Sequence, residues 1–197
     1  MNKQKIKEAV KIILKEIGED VDREGIQSTP DRVARMYENL FYGYSKVLVP
    51  MSEEERNGEL SPHIIPITVF KCESRDMLIR NTTFTSMCEH HVVPFSGVAY
   101  IGIIPNEKLL GMNKIDKIVK YFGAKLQIQE RMTREIVDWI WNNIKPLGVV
   151  CVIKADHFCA RLQGDNGDFT TSAVRGCFEN DVTKQEFLKL AGIGNGK

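Results

Sequence analysis

The apolar pattern changes period at Ile64, and that change limits the chain to a mixed architecture. Before it, Ile6, Val10, Ile13, Leu14 and Ile17 fall three and four residues apart, as on one face of a helix, and Gly18 is placed to end it. Thr29-Pro30 reads as an N-cap followed by proline at the first helical position, where no amide donor is needed. Val33, Met36, Leu40 and Phe41 carry this second helix to Gly43. After Ile64, runs rich in branched and aromatic residues at 64–70, 77–84 and 97–104 read as strands. A helix opens near Asn113 and a longer one covers 129–144, where Met132, Ile136, Ile140 and Ile144 recur every four residues until Pro146 and Gly148 stop it. Strand character returns at 149–154, 157–162 and 169–178, with Asp165-Asn166-Gly167-Asp168 as a hairpin turn, and a helix over 183–190 closes the chain.

The polar stretch 51–62 reads as a solvent-facing connection. The expected fold is therefore α+β. Residues 1–62 form an N-terminal helical arm and its connection, and residues 63–197 form one domain, an antiparallel sheet with helices on one face. A chain of 197 residues is long enough for one sizeable core.

Charge narrows the partners. The chain has 27 basic against 26 acidic side chains, a net charge of +1, without the basic excess that marks nucleic-acid binding. A small anionic ligand stays compatible with this balance, since one pocket need not alter the total. No run approaches the roughly 20 apolar residues that span a bilayer. The opening, Met1 to Lys7, is polar and does not read as a secretory signal. The five cysteines are odd in number and scattered, so they are expected as thiols or metal ligands in a cytoplasmic protein.

Three of the four histidines lie in two short motifs, Cys88-Glu89-His90-His91 and His157-Phe158-Cys159. Zinc favours thiolate and imidazole in tetrahedral geometry, and a Cys-x-x-His step turns two such ligands onto one ion. Cys159 is placed to supply a third, leaving the fourth position to water as in catalytic sites. Strand alternation over 157–162 sets His157 on the same side as Cys159, and His90 adds a second imidazole that is not a ligand. A zinc-activated water between two free imidazoles suits a hydrolysis that moves protons at more than one atom. Plainer readings compete: His157 as a satisfied strand histidine, Cys159 as a small core residue, or a structural zinc site completed by Cys151 or Cys177.

Two polar groups accompany these motifs. Gln127-Ile128-Gln129-Glu130-Arg131 opens the long helix, where Glu130 either meets the helix dipole at a solvated first turn or accepts paired hydrogen bonds from a guanine edge. Asn113-Lys114-Ile115-Asp116-Lys117 either caps a surface helix or holds phosphate at its N-terminus.

The order of these blocks resembles the GTP cyclohydrolase I family. The resemblance is carried by Thr29-Pro30-Asp31-Arg32-Val33, Ser86-Met87-Cys88-Glu89-His90-His91, Leu110-Gly111-Met112-Asn113-Lys114, Leu126 through Arg131, and His157-Phe158-Cys159. It implies the tunnelling fold, with protomers joined into pentameric rings that stack as a homodecamer and active sites at subunit boundaries. It also implies conversion of GTP and water to formate and 7,8-dihydroneopterin triphosphate, the first step toward folate or other pterins. Carried over position by position, Cys88, His91 and Cys159 hold Zn2+, while His90 and His157 move protons. Glu130 anchors guanine with Gln129 beside it, and Arg32, Asn113, Lys114 and Lys117 match positions that meet the triphosphate.

The chain departs from the family pattern at the phosphate positions. Asn113 stands for a serine, Lys117 for an arginine, and Gln163-Gly164 for Arg-Gly, while the 164–172 segment is about three residues shorter than usual. Lys117 keeps charge without the bidentate fork, and Arg161, on the face of 163 if the strand continues, is expected to replace part of the lost charge. These changes raise an alternative: a cyclohydrolase-like enzyme for a different purine nucleotide. A further alternative is a catalytically silent, zinc-stabilised oligomeric binding protein.

Overall fold

A computed structural model describes residues 1–194; the last three residues of the expected 63–197 unit lie outside the described residues. Five strands, β3 (Leu78–Cys88), β4 (Pro94–Ile104), β6 (Leu126–Gln127), β7 (Gly148–His157) and β8 (Phe169–Gly176), form one sheet in the order β6-β3-β4-β7-β8. The central pairs are antiparallel, and their register brings Phe95 opposite both Ser86 and His157, and Ala155 opposite Phe169. At the edge, β6 runs parallel to β3 and sets Cys88 beside Gln127. The end of β3, the start of β4, the end of β7 and the start of β8 therefore meet at one end of the sheet.

Alternation along β7 divides the core. Val149, Cys151 and Ile153 face the two long helices, α4 (Met112–Gly123) and α5 (Gln129–Ile144), as the sequence pattern expects. On α5, Met132, Ile136, Val137 and Ile140 are fully enclosed, each such aliphatic side chain contributing about 1.5–3 kcal/mol of burial. Val150 and Val152 face the other way and pack on Phe178 and Phe187. Phe187 belongs to the closing helix (Asp181–Leu190), so this short helix covers the opposite face. Gly102 makes room there: a Cβ at its position would come within 2.6 Å of the Phe187 ring.

The N-terminal arm consists of α1 (Lys3–Glu16) and α2 (Thr29–Leu40), which pack on each other with Lys3–Glu38 (2.6 Å) and Lys7–Asp31 ion pairs between them. The expected apolar stripe of α1 divides: Ile6, Val10 and Leu14 are half-buried, whereas Ile13 and Ile17 are 59% and 73% exposed. Thr29 lies inside α2 and Ser28 stands at the cap without a side-chain bond.

Two stretches correct the sequence reading. The 51–62 connection is not uniformly solvent-facing. Met51 is buried at the end of β1 (Val47–Met51), which pairs in parallel with β2 (Ile64–Lys71), and α3 (Glu53–Arg56) follows with a reciprocal Ser52–Glu55 capping box. A third strand, β5 (Lys108–Leu110), completes this second sheet. The other correction concerns 157–162. Here β7 ends at His157, and α6 (Phe158–Arg161) is a single helical turn closed by Leu162 N–H donating to the Phe158 carbonyl at 2.9 Å. The strand has no ladder to continue, because its pairing with β8 stops at Ala155–Phe169 and its pairing with β4 stops at His157–Phe95. The 165–168 segment is correspondingly part of a wider loop between α6 and β8 rather than a hairpin turn between two strands, with the Asp165 carboxylate accepting from the Gly167 amide at 2.9 Å. Among the described residues no helix is long and apolar enough to cross a membrane.

Candidate metal centre and nucleotide cleft

Cys88 and His91 are brought together by the turn between β3 and β4. The Val92 amide donates to the Cys88 carbonyl and the Cys88 amide to the Val93 carbonyl, both at 2.9 Å. The turn forces Val92 to a φ of +54°, an unusual conformation for a β-branched residue. Its base is clamped from below: Arg131 pairs with Glu89, donates to the Gln127 Oε1 at 2.9 Å and donates to the Leu126 carbonyl at 2.9 Å. Arg131 holds the Glu89 carboxyl below its ordinary range. Gln127 ends β6 and Arg131 lies in the first turn of α5, so both this contact and the reach to Glu89 need the fold.

Cys159 enters from α6 rather than from a strand. A helical turn, not strand alternation, therefore swings the thiol toward Cys88. Likewise 161 and 163 do not share a strand face. Arg161 pairs with Asp156 at 2.9 Å, and the Gln163 amide donates to the Cys159 carbonyl at 3.0 Å, holding the turn that carries the thiol.

One ligand atom from each of Cys88, His91 and Cys159 lies within 4.8 Å of the others; tetrahedral zinc with bonds of 2.0–2.3 Å needs about 3.4–3.8 Å. Cys88 Sγ is 3.9 Å from His91 Nδ1. Burial, and then the neighbouring Cys88 sulfur, push the Cys159 thiol up; two adjacent sulfurs cannot both ionise cheaply without a cation between them. The donor set thus fits a thiolate- and imidazole-binding divalent metal. Cys151 and Cys177 stand outside this group: Cys151 is fully buried in the sheet core and Cys177 packs against Gly148. The structural site they would have completed is not formed.

A cleft of about 240 Å³ opens over these atoms, lined also by His90, His157, Gln129 and Glu130. The His157 ring stacks on Phe95 (centroids 4.6 Å, 6° between planes) and meets Phe169 edge-on. Burial lowers the His157 pKa, opposed by Glu130 and Asp156. His157 Nε2 is 2.9 Å from Gln129 Oε1. Phe95, Thr171 and Thr133 complete this network and had no distinctive sequence signal, since each is an ordinary strand or helix residue until packing places it.

The remaining residues singled out in the sequence, Arg32, Asn113, Lys114 and Lys117, do not line this cleft within one chain. Arg32 is exposed on α2, and Asn113 is exposed in the first turn of α4. Lys114 is only 6% exposed, and burial, followed by Lys117 and Arg56, lowers its pKa.

The sequence matches the family model for GTP cyclohydrolase I over residues 6–192. It is 40% identical over 196 residues to GTP cyclohydrolase 1 of Listeria monocytogenes, covering 96% of each chain. It is 40% identical over 194 residues to that of Aquifex aeolicus, covering 96% of this chain and 97% of the relative. The chain belongs to the GTP cyclohydrolase I family. It is accordingly an enzyme of the GTP cyclohydrolase I type. A solved structure, the apo form of archaeosine synthase QueF-Like, aligns with 53% of this chain and 97% of its own at 15% identity and a TM-score of 0.47.

Proposed function

We propose that this GTP cyclohydrolase I family member hydrolyses GTP at the guanine imidazole ring, releasing formate and leaving 7,8-dihydroneopterin triphosphate. The observation that carries the reading is the convergence of Cys88, His91 and Cys159 beside two imidazoles that are not ligands. Zinc is the metal proposed for these three donors, and when bound it supplies a Lewis acid that lowers the pKa of water to about 7. His157 and His90 stand in the cleft as proton donors and acceptors for ring opening and for the ribose rearrangement that follows. Glu130, exposed in the first turn of α5, accepts paired hydrogen bonds from the guanine edge. Phe95 stacks on one face of His157 and holds the ring plane against the cleft.

The triphosphate falls to Arg32, Asn113, Lys114 and Lys117. Because none of them lines the cleft of its own chain, we assign these residues to a neighbouring subunit's site, in a homo-oligomer of two stacked pentameric rings. All five cysteines are free, in keeping with the cytoplasmic setting proposed here, and the product proposed places the enzyme early in pterin or folate synthesis.

Metal-replete protein incubated with GTP is expected to yield formate and a fluorescent pterin after oxidation; neither product from zinc-loaded protein would remove the proposal. A second reading, a different purine nucleotide, is favoured by Gln163 and Arg161, whose polar groups are engaged by Cys159 and Asp156. Turnover of GTP, dGTP, GDP and guanosine side by side separates the two, a clear preference for GTP counting against the second.

A further inference from the structure

We infer that Gln129 is a positioning residue that holds His157 with its proton on Nε2, leaving Nδ1 as the nitrogen that exchanges a proton with the substrate. This rests on the proton-moving role proposed for His157. Gln129 is 1% exposed, and its Nε2 donates to the carbonyls of Ile153 and Phe169, each at 3.0 Å, and to the Thr171 hydroxyl at 3.1 Å. A backbone carbonyl only accepts, so the NH2 end of the amide must face Ile153 and Phe169; the flipped amide would set oxygen against two oxygens. The orientation is therefore imposed by the backbone.

It follows that Oε1 faces His157 Nε2 at 2.9 Å, and since an amide oxygen also only accepts, Nε2 carries the hydrogen. The hydroxyls agree with this direction. Thr133 donates to the Gln129 carbonyl at 2.7 Å, so its contact with Thr171, also 2.7 Å, is completed by the Thr171 proton. Stacking on Phe95 fixes the ring plane while the hydrogen bond fixes rotation within it. Nδ1, bare at rest, first takes a proton with its lone pair from the substrate or from solvent. In the donating step that Nδ1–H bond breaks as a substrate atom takes the proton, and the electron pair returns to Nδ1. The Nε2–H bond is intact on both sides of the step. The hydrogens of the Gln129 amide already meet three acceptors, which leaves recognition of the purine edge to Glu130.

The direct test is read on the unmodified protein, with one variant used only to assign the signal. Protein labelled with 15N-histidine carries only four histidines, and His157 is assigned by its disappearance in His157→Asn. Recorded above neutral pH, His157 is expected as the Nε2–H form with a bare Nδ1; an Nδ1–H signal would overturn the inference. That result is independent of turnover, so it is distinguishable from failure of the GTP reading, which shows as missing products from the unmodified enzyme. In Gln129→Met the kcat for GTP is expected to fall by about 10²-fold or more, the scale of a lost proton-transfer group, with KM nearly unchanged. A raised KM with kcat retained would make Gln129 a substrate contact and overturn the inference. The spectrum of the unmodified protein decides the question even where Gln129→Met does not fold.

Discussion

At the scale of single residues, the grouping of Cys88, His91 and Cys159 was legible because metal chemistry selects rare residue types: few side chains offer sulfur or imidazole, and histidine occurs only four times in this chain. Cys88 and His91 are local to one turn, so their spacing alone brought them together. Gln129 was visible only as a neighbour of Glu130, because its contacts come from β7 and β8, 24 to 42 residues away. These roles separate under mutation. His157→Ala is expected to lower kcat by about 10²–10⁴-fold while bound zinc, measured by metal analysis, stays at the unmodified level. Cys88→Ala is expected to lose the metal and turnover together, and zinc added to excess will not restore activity.

At the scale of elements, the long helices and central strands followed from their period, whereas α6 did not. Residues 157–162 carry strand-like residues, but strand formation needs a neighbour, and the β8 and β4 ladders end at Phe169 and Phe95. β1 was hidden for the reverse reason: Pro50 interrupts a short run, and its partner lies 17 residues on. Where period did decide, packing should be costly to disturb. Ile140→Ala, at a fully enclosed α5 position, is expected to destabilise by about 2–5 kcal/mol in denaturant unfolding. Arg80 joins β3 to α4 by donating to both oxygens of Asp116, at 2.9 and 2.6 Å, and it holds that carboxyl below its ordinary range. The pair therefore stabilises the fold above the ordinary aspartate pKa of about 3.9, and the contribution is lost as pH falls through the depressed folded value. Asp116→Asn should be less stable than the unmodified chain near neutral pH, and the gap should close in acid unfolding.

At the scale of the whole molecule, the sequence named two sets of residues that one chain does not unite: the metal centre with its histidines, and the cations Arg32, Lys114 and Lys117. The subunit sharing proposed above would unite them. His157→Ala and Arg32→Ala are each expected to be nearly inactive alone, yet co-expressed chains should recover turnover, because some sites then draw an intact His157 and an intact Arg32 from different subunits. No recovery in demonstrably mixed oligomers would place both residues in one chain's site. The central claim is narrower still, that two sulfurs and one imidazole hold the metal and protein supplies no fourth ligand. Zinc-edge X-ray absorption on the purified enzyme tests it most directly: the account expects two sulfur and two light-atom neighbours, one of them exchangeable with added anions. A third sulfur, or a fourth position that no added ligand can enter, would contradict it.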